Sequence, residues 1–411
     1  MTRYASDMVV SVRRFTRQPD GDDVLIGNPE NGTFLAVPPE AVEMLDYLAA
    51  GRNLQQAGEF YHEKYGEPLD IDDFLGIMEA KGFVTTSETT GNGQSPHAPV
   101  QQASPLRYHF SDFPQPIAKF LYSWGSMFFY TVLTVVAGAA LVSHKSLIPR
   151  PADFIFPEYR VISFFTFIAL ALASIFLHEL SHVVAARALG VNSRLGIGHR
   201  MWFVVAEADL TGLWGVPKKQ RYLPLLAGMV LDIVSAAVLI LVLFAQDDRW
   251  IHLPIFAVRI CKALVMSYWL RVIWQFYVFV RTDIYFIITN YFDCRNLLSD
   301  TEDFLRNLVS RAFRSGRLID QSHIPASERR VIRTYSVLWL AGRVLALYVL
   351  FAVTFPVVYG YLHDLIHAFR SGVSANTDSF IDSLLLSSFV ITTLSAGLFL
   401  WIRGMIRRER T

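Results

Sequence analysis

The sequence predicts a two-part chain: a small winged-helix-like α+β domain, then an all-α polytopic membrane domain of about six transmembrane helices. Three observations predict it. The composition is 53% hydrophobic and only 18% charged, where an average soluble domain is about 25% charged. After position 116 the apolar residues gather into runs of roughly 20 or more, the length that crosses a bilayer. The first 84 residues instead break short apolar runs with turn chemistry. Lys+Arg 37 against Asp+Glu 36 leaves +1, so total charge gives no case for nucleic acid as a partner. This balance, with so many apolar residues, is not that of a disordered chain. Cys261 and Cys294 form neither a disulfide framework nor a Cys-x-x-Cys pair.

In order along the chain, Met8–Val12, Val24–Ile26 and Thr33–Val37 read as strands. They are separated by Pro19-Asp20-Gly21 and Asn31-Gly32, and Asn-Gly between apolar runs is a strong hairpin signal. Three helices follow. Pro38-Pro39-Glu40 opens the first, with Val42, Leu45 and Leu48 as its apolar stripe. Leu54 to Tyr65 forms the second and stops at Gly66. Ile71, Phe74, Leu75 and Met78 mark the third, which stops at Gly82. Residues 1–84 are thus one domain, and 85–115, rich in Thr, Ser, Gly, Gln and Pro, are a linker. No basic region followed by an apolar stretch stands at the start, so the first domain is expected in the cytoplasm.

Residues 116–411 form the membrane domain. Its expected spans are Phe120–Val142, Val161–Leu189, Leu223–Ala245, Leu253–Val280, Ser336–Leu362 and Phe380–Ile402. With a cytoplasmic start, the loops and tail on that side carry eighteen Lys and Arg against five outside. That bias matches the positive-inside rule and predicts a multi-pass protein of a bacterial-type cell membrane with both termini cytoplasmic.

The second span contains His178-Glu179-Leu180-Ser181-His182. Histidines four apart lie on one helix face, so both imidazoles can reach one metal ion. Glu179 beside them can take a proton from a bound water. At 1.5 Å per residue, His182 lies about 10 Å and His178 about 16 Å inside the cytoplasmic end of that span. Ionisable groups at such depth are costly and mark function. A catalytic zinc usually needs a third protein ligand. Asp283, in Arg281-Thr282-Asp283-Ile284, stands at the cytoplasmic end of the fourth span, on the same side as the two histidines; Asp232 and Asp209 compete for the role. His363-Asp364-Leu365-Ile366-His367 repeats the histidine spacing, but at the outer end of the fifth span, where exposed interfacial histidines are expected.

With these residues, the membrane half resembles the site-2 protease family of intramembrane zinc metalloproteases. Arg281–Phe286 followed by Asn296-Leu297 is most similar to the branch described as peptide zinc metalloproteases. The resemblance implies His178, His182 and Asp283 as zinc ligands and Glu179 as general base. The chain departs from the family's usual pattern at Ile284, where Gly is usual, and at Arg281-Thr282, where Asn-Pro often stands. It departs again at Ala227–Asp232, where Gly-Pro and Asn are usual. Residues 8–84 resemble the PqqD-like peptide-recognition domain of ribosomal peptide biosynthesis through Asn28-Pro29 with Gly32, Pro39-Glu40-Ala41, Gly51 and Ala80–Val84. That resemblance implies a leader peptide added as a strand in a groove between the third strand and third helix. On this chain the groove residues are Phe34, Leu35 and Val37 with Phe74, Leu75 and Met78, though some of these belong to the domain's own core.

Together these readings predict a zinc endopeptidase cleaving a peptide or membrane-associated substrate, captured by the N-terminal domain and delivered to a site within the lipid bilayer. The alternative is a non-catalytic membrane receptor for peptides, or an export or immunity partner, that keeps an inert metal site. A DNA-binding regulator is disfavoured because Asp70-Ile71-Asp72-Asp73 opens the third helix with acids where phosphate contact needs bases.

Overall fold

The computed structural model describes residues 4–20, 23–28, 33–85, 113–150, 153, 160–200, 203–294, 296–314, 318–322, 324–371 and 377–408. The expected turns at Gly21 and Asn31-Gly32, the Pro29 and Gly32 features, and nearly all of the 85–115 linker lie outside these residues. The chain is mostly helical with a small N-terminal β region, and it divides into two compact units.

The first unit comprises the N-terminal region with Ala186–Arg194 and Asp209–Arg221. Strand β1 (Ser11–Val12) pairs antiparallel with β5 (Val84–Thr85), Val12 opposite Val84. Strands β2 (Thr16–Asp20), β3 (Asp23–Asn28) and β4 (Thr33–Val37) form an antiparallel meander. Its register sets Gln18 opposite Leu25 and Ile26 opposite Leu35. Side chains alternate across a strand, so this sheet has two apolar faces. One carries Ile26 and Val37 into a core with Met44, Leu45, Leu48, Leu75, Met78 and Phe83. The other carries Leu25 and Phe34. Gly27 leaves room there for the Phe34 ring: a Cβ on Gly27 would lie 2.4 Å from Phe34 Cε1. A 3-10 turn at Thr211–Gly215 packs on this second face, with Leu213 buried and Gly215 close to Phe34.

The three helices of this unit have local reasons to start and stop. Helix α1 (Pro39–Ala49) has Pro at its first position, where the missing N–H costs nothing. Helix α2 (Leu54–Tyr65) opens on a capping box of Asn53 and Gln56 and closes at Gly66, whose φ of +75° suits glycine. Helix α3 (Ile71–Ala80) is capped by Asp70, and Asp72 and Asp73 sit in its first turn, where the helix dipole favours acids.

Among its described residues, the second unit is helical but for one pair of strands. Helices α4 (Gln115–Leu121), α5 (Trp124–Ser143) and α6 (Arg160–Ala188) lead to β6 (Arg194–Arg200) and β7 (Phe203–Asp209), which pair with each other. There follow α7 (Lys218–Asp247), α8 (Ile255–Trp274), α9 (Asp283–Phe292), α10 (Leu297–Ala312), α11 (Ala326–Val349), α12 (Phe355–Ser371) and α13 (Thr377–Arg408). Among the described residues, four helices are long and apolar enough to cross a membrane: Trp124–Ser143, Val161–Ala188, Lys218–Asp247 and Glu328–Ala352. They mark the chain as a membrane protein. Their outward faces carry large apolar side chains such as Phe128, Val135, Leu172 and Phe176. Where α5 and α7 meet, the small residues Ala137, Ala140 and Ala237 are buried, which lets membrane helices approach closely.

Two expected spans take another form. Leu253–Val280 holds α8 and then a series of tight turns, because the Gln275 carbonyl accepts from the Thr282 hydroxyl at 2.8 Å and the Gln275 side chain accepts from the Asp283 amide at 3.0 Å. Asp283 therefore opens a new helix instead of closing the previous one. Ser336–Leu362 lies in α11 and α12, joined by a π-helical stretch at Leu350–Thr354. Pro356 lacks the N–H that the preceding turn would use, and helices adjust locally around such a gap.

Candidate metal centre

Helices α6 and α7 meet along two matching faces with a four-residue period. On α6 these are His178 and His182; on α7 they are Pro224, Gly228 and Asp232. His182 Nδ1 lies 2.7 Å from the Pro224 carbonyl, and His178 Nδ1 lies 2.8 Å from Asp232 Oδ2. A carbonyl only accepts, so His182 carries its proton on Nδ1 and presents the Nε2 lone pair. A carboxylate does the same for His178. Between them, Gly228 supplies an absence: a Cβ there would lie 2.4 Å from His178 Nε2 and 2.5 Å from His182 Nε2. Both histidines are buried, at 2% exposed.

The third member arrives from the first position of α9. Asp283 Oδ2 lies 3.3 Å from each Nε2, and the two Nε2 atoms are 3.4 Å apart. Yet this oxygen is buried without a hydrogen-bond partner. Three lone-pair atoms thus face one another at nearly equal distances, a costly arrangement unless a cation joins them. Donors on a tetrahedral zinc at about 2.05 Å would lie about 3.35 Å apart, close to the spacing observed. The charges agree. Asp232 is paired with Arg271, so the Asp283 carboxylate is the negative ligand that a cation between the two imidazoles would neutralise. Two imidazoles and a carboxylate suit zinc better than the harder calcium or magnesium. The donor set of these residues fits a divalent cation such as zinc.

Glu179 follows His178 on α6, and its Oε2 accepts a hydrogen bond from the Ala208 amide of β7 at 2.8 Å. The hairpin thereby fixes one carboxylate oxygen. Asp232, a rival ligand from sequence alone, stands one layer out, held by Arg271 through contacts of 2.8 and 2.6 Å. Asp209, the other rival, instead pairs with Arg194 at 2.7 Å and accepts from Thr211. His363 and His367 are exposed, with ring centres 6.4 Å apart.

The six residues assigned to a peptide groove do not share one surface. Val37, Leu75 and Met78 are buried in the domain core, with Leu35 and Phe74 packed against it. Phe34 lies on the opposite sheet face, over Gly27. Strand alternation separates Phe34 from its neighbours, and β4 is one of the two edges of the meander, β2 being the other.

The Pro224 carbonyl, the Ala208 amide, Arg271 and Gln275 escape a reading of the sequence, as does the clearance that Gly228 gives the two imidazoles. Of these, Arg271 leaves a signal as a charge within an apolar stretch, and Gly228 stands in the Ala227–Asp232 segment set apart by resemblance. Comparison with family models, with curated proteins and with solved structures returns no match.

Proposed function

We propose that this chain is a membrane-embedded zinc endopeptidase of the site-2 protease type. The observation that carries the reading is the triangle of His178 Nε2, His182 Nε2 and Asp283 Oδ2, three donors 3.3–3.4 Å apart, with Glu179 next to the first. When bound, a zinc ion supplies a Lewis acid and an acidified water. The chain's own residues do the rest. Asp232 and the Pro224 carbonyl hold the imidazoles in the ligating tautomer, and Glu179 takes and returns the proton.

In this reading the membrane domain has about six spans, the four long apolar helices being joined by α8 and the apolar part of α13, with both termini in the cytoplasm. The N-terminal region is a winged-helix-like, PqqD-like domain that takes a leader peptide along the β4 edge, beside Leu35 and Phe74. An edge strand offers unpaired backbone groups to such a guest, and tethering it through residues 85–115 raises its concentration near the site.

The test is cleavage of short precursor peptides encoded beside this protein, co-expressed with wild type or Glu179→Gln. The variant is expected to keep its metal and lose about 10²–10⁴-fold in rate. Equal cleavage by both overturns the peptidase reading. Peptide binding with no cleavage by wild type supports a receptor instead.

A further inference from the structure

The last turn of α8 reaches two of the three candidate ligands at once. Arg271 binds Asp232 with both arms of its fork, Nε to Oδ2 at 2.8 Å and the terminal nitrogen to Oδ1 at 2.6 Å. Its other terminal nitrogen donates to Ser174 Oγ at 3.0 Å, one turn before His178 on α6. The guanidinium also lies 5.0 Å from the ring centre of Tyr268. With every edge engaged, Arg271 fixes the plane of the Asp232 carboxylate, and that carboxylate fixes His178 through Nδ1. Gln275, one turn later at the C-terminal cap of α8, receives the Asp283 amide on Oε1, and its carbonyl receives the Thr282 hydroxyl. It thereby sets where α9 begins and where the Asp283 carboxylate stands.

The Arg271 and Asp232 side chains are 13% and 1% exposed. A buried ion pair of this kind is often no more stabilising than an apolar pair of similar size. Simple stability therefore does not account for it, and its attachment to a ligand does.

We propose that Arg271 and Gln275 are positioning residues that tie His178 of α6 and Asp283 of α9 to one helical turn, so that α8 sets the spacing of the metal ligands. The proposal rests on these residues binding a metal. Its test is titration of the purified full-length protein in nanodiscs with cobalt(II), whose visible absorption reports coordination geometry, while helical content and thermal unfolding are followed in parallel. Arg271→Met combined with Asp232→Asn removes both charges and leaves no unpaired ion; Gln275→Leu removes the acceptor for Asp283; Arg271→Lys keeps the charge without the fork.

Each variant is expected to keep the wild-type helical content, to bind cobalt about 10–100-fold more weakly, and to shift the absorption band. Arg271→Lys is expected to fall between wild type and the double variant. If the double variant and Gln275→Leu match wild type in affinity and band while His178→Ala abolishes binding, the metal site stands and the positioning role is overturned. If wild type and His178→Ala bind alike, or neither binds, the metal reading falls and takes this proposal with it.

Discussion

Gly228 shows how much one missing atom can decide. Two imidazole nitrogens occupy the space where its Cβ would stand, and the backbone on either side belongs to a regular helix that cannot yield. Gly228→Ala is expected to weaken metal binding by more than about tenfold and to cost about 1–3 kcal/mol of stability through overpacking. Metal content by mass spectrometry and thermal unfolding check the two effects separately. Retained stoichiometric metal in that variant would place the ion elsewhere. The histidine pair is legible in the sequence because its logic is local: four residues make one helical turn. Gly228 is not, since its importance depends on the register between α6 and α7. It is the single glycine of α7, and nothing within that helix says what its missing Cβ makes room for.

Among the elements, the joint that follows β7 shows how charge holds a turn. Burial pushes the Asp209 carboxyl up, but the Thr211 hydroxyl and amide and the Arg194 guanidinium outweigh it and hold it below the usual carboxylate range. A group whose folded value is lowered stabilises the folded form above its ordinary value and loses that effect as pH falls through the folded one. Protection of the Thr211 amide in hydrogen exchange is thus expected to hold at neutral pH and decline below about pH 4, with Asp209→Asn weakening it at neutral pH and converging on wild type in acid. A pH-independent Thr211 protection factor would contradict this. In α2, Asn53→Ala removes the capping box and is expected to lower the local opening free energy by about 1 kcal/mol, read by exchange of the Gln56 amide. Helix stops at Gly66 and Gly82 were readable because αL positions favour glycine. The break after Trp274 was not, for it depends on the Gln275 side chain meeting an amide eight residues on.

At the scale of the whole molecule, a metal held by the buried triangle of donors would link binding to stability. A ligand that binds only the folded chain adds about 2.7 kcal/mol at one hundred times its dissociation constant. Chelation is expected to lower the unfolding temperature, and added zinc to restore it. In His182→Ala neither treatment is expected to matter, and a wild-type response in that variant would argue against the triangle as the site. Composition and apolar runs sufficed to read a membrane protein. Which long stretches stay unbroken was harder to read, because the breaks depend on a side chain meeting a distant amide at Gln275 and on a π-helical stretch at Leu350–Thr354. Similarly, alternation along β4 decides which apolar residues face the core, and apolar character alone does not distinguish Phe34 from Leu35.

The matched period of α6, α7 and α8 can be rewritten as a signature for reading other chains. His-Glu-x-x-His alone specifies two donors. Gly-x-x-x-Asp in the next long helix, taken from Gly228 and Asp232, adds clearance for both rings and a seat for one of them. Arg-x-x-x-Gln, from Arg271 and Gln275, adds the brace, and an Asp eight residues beyond completes the set. A sequence with the first motif but a bulky residue at the glycine would carry the letters of this site without the room for its ion.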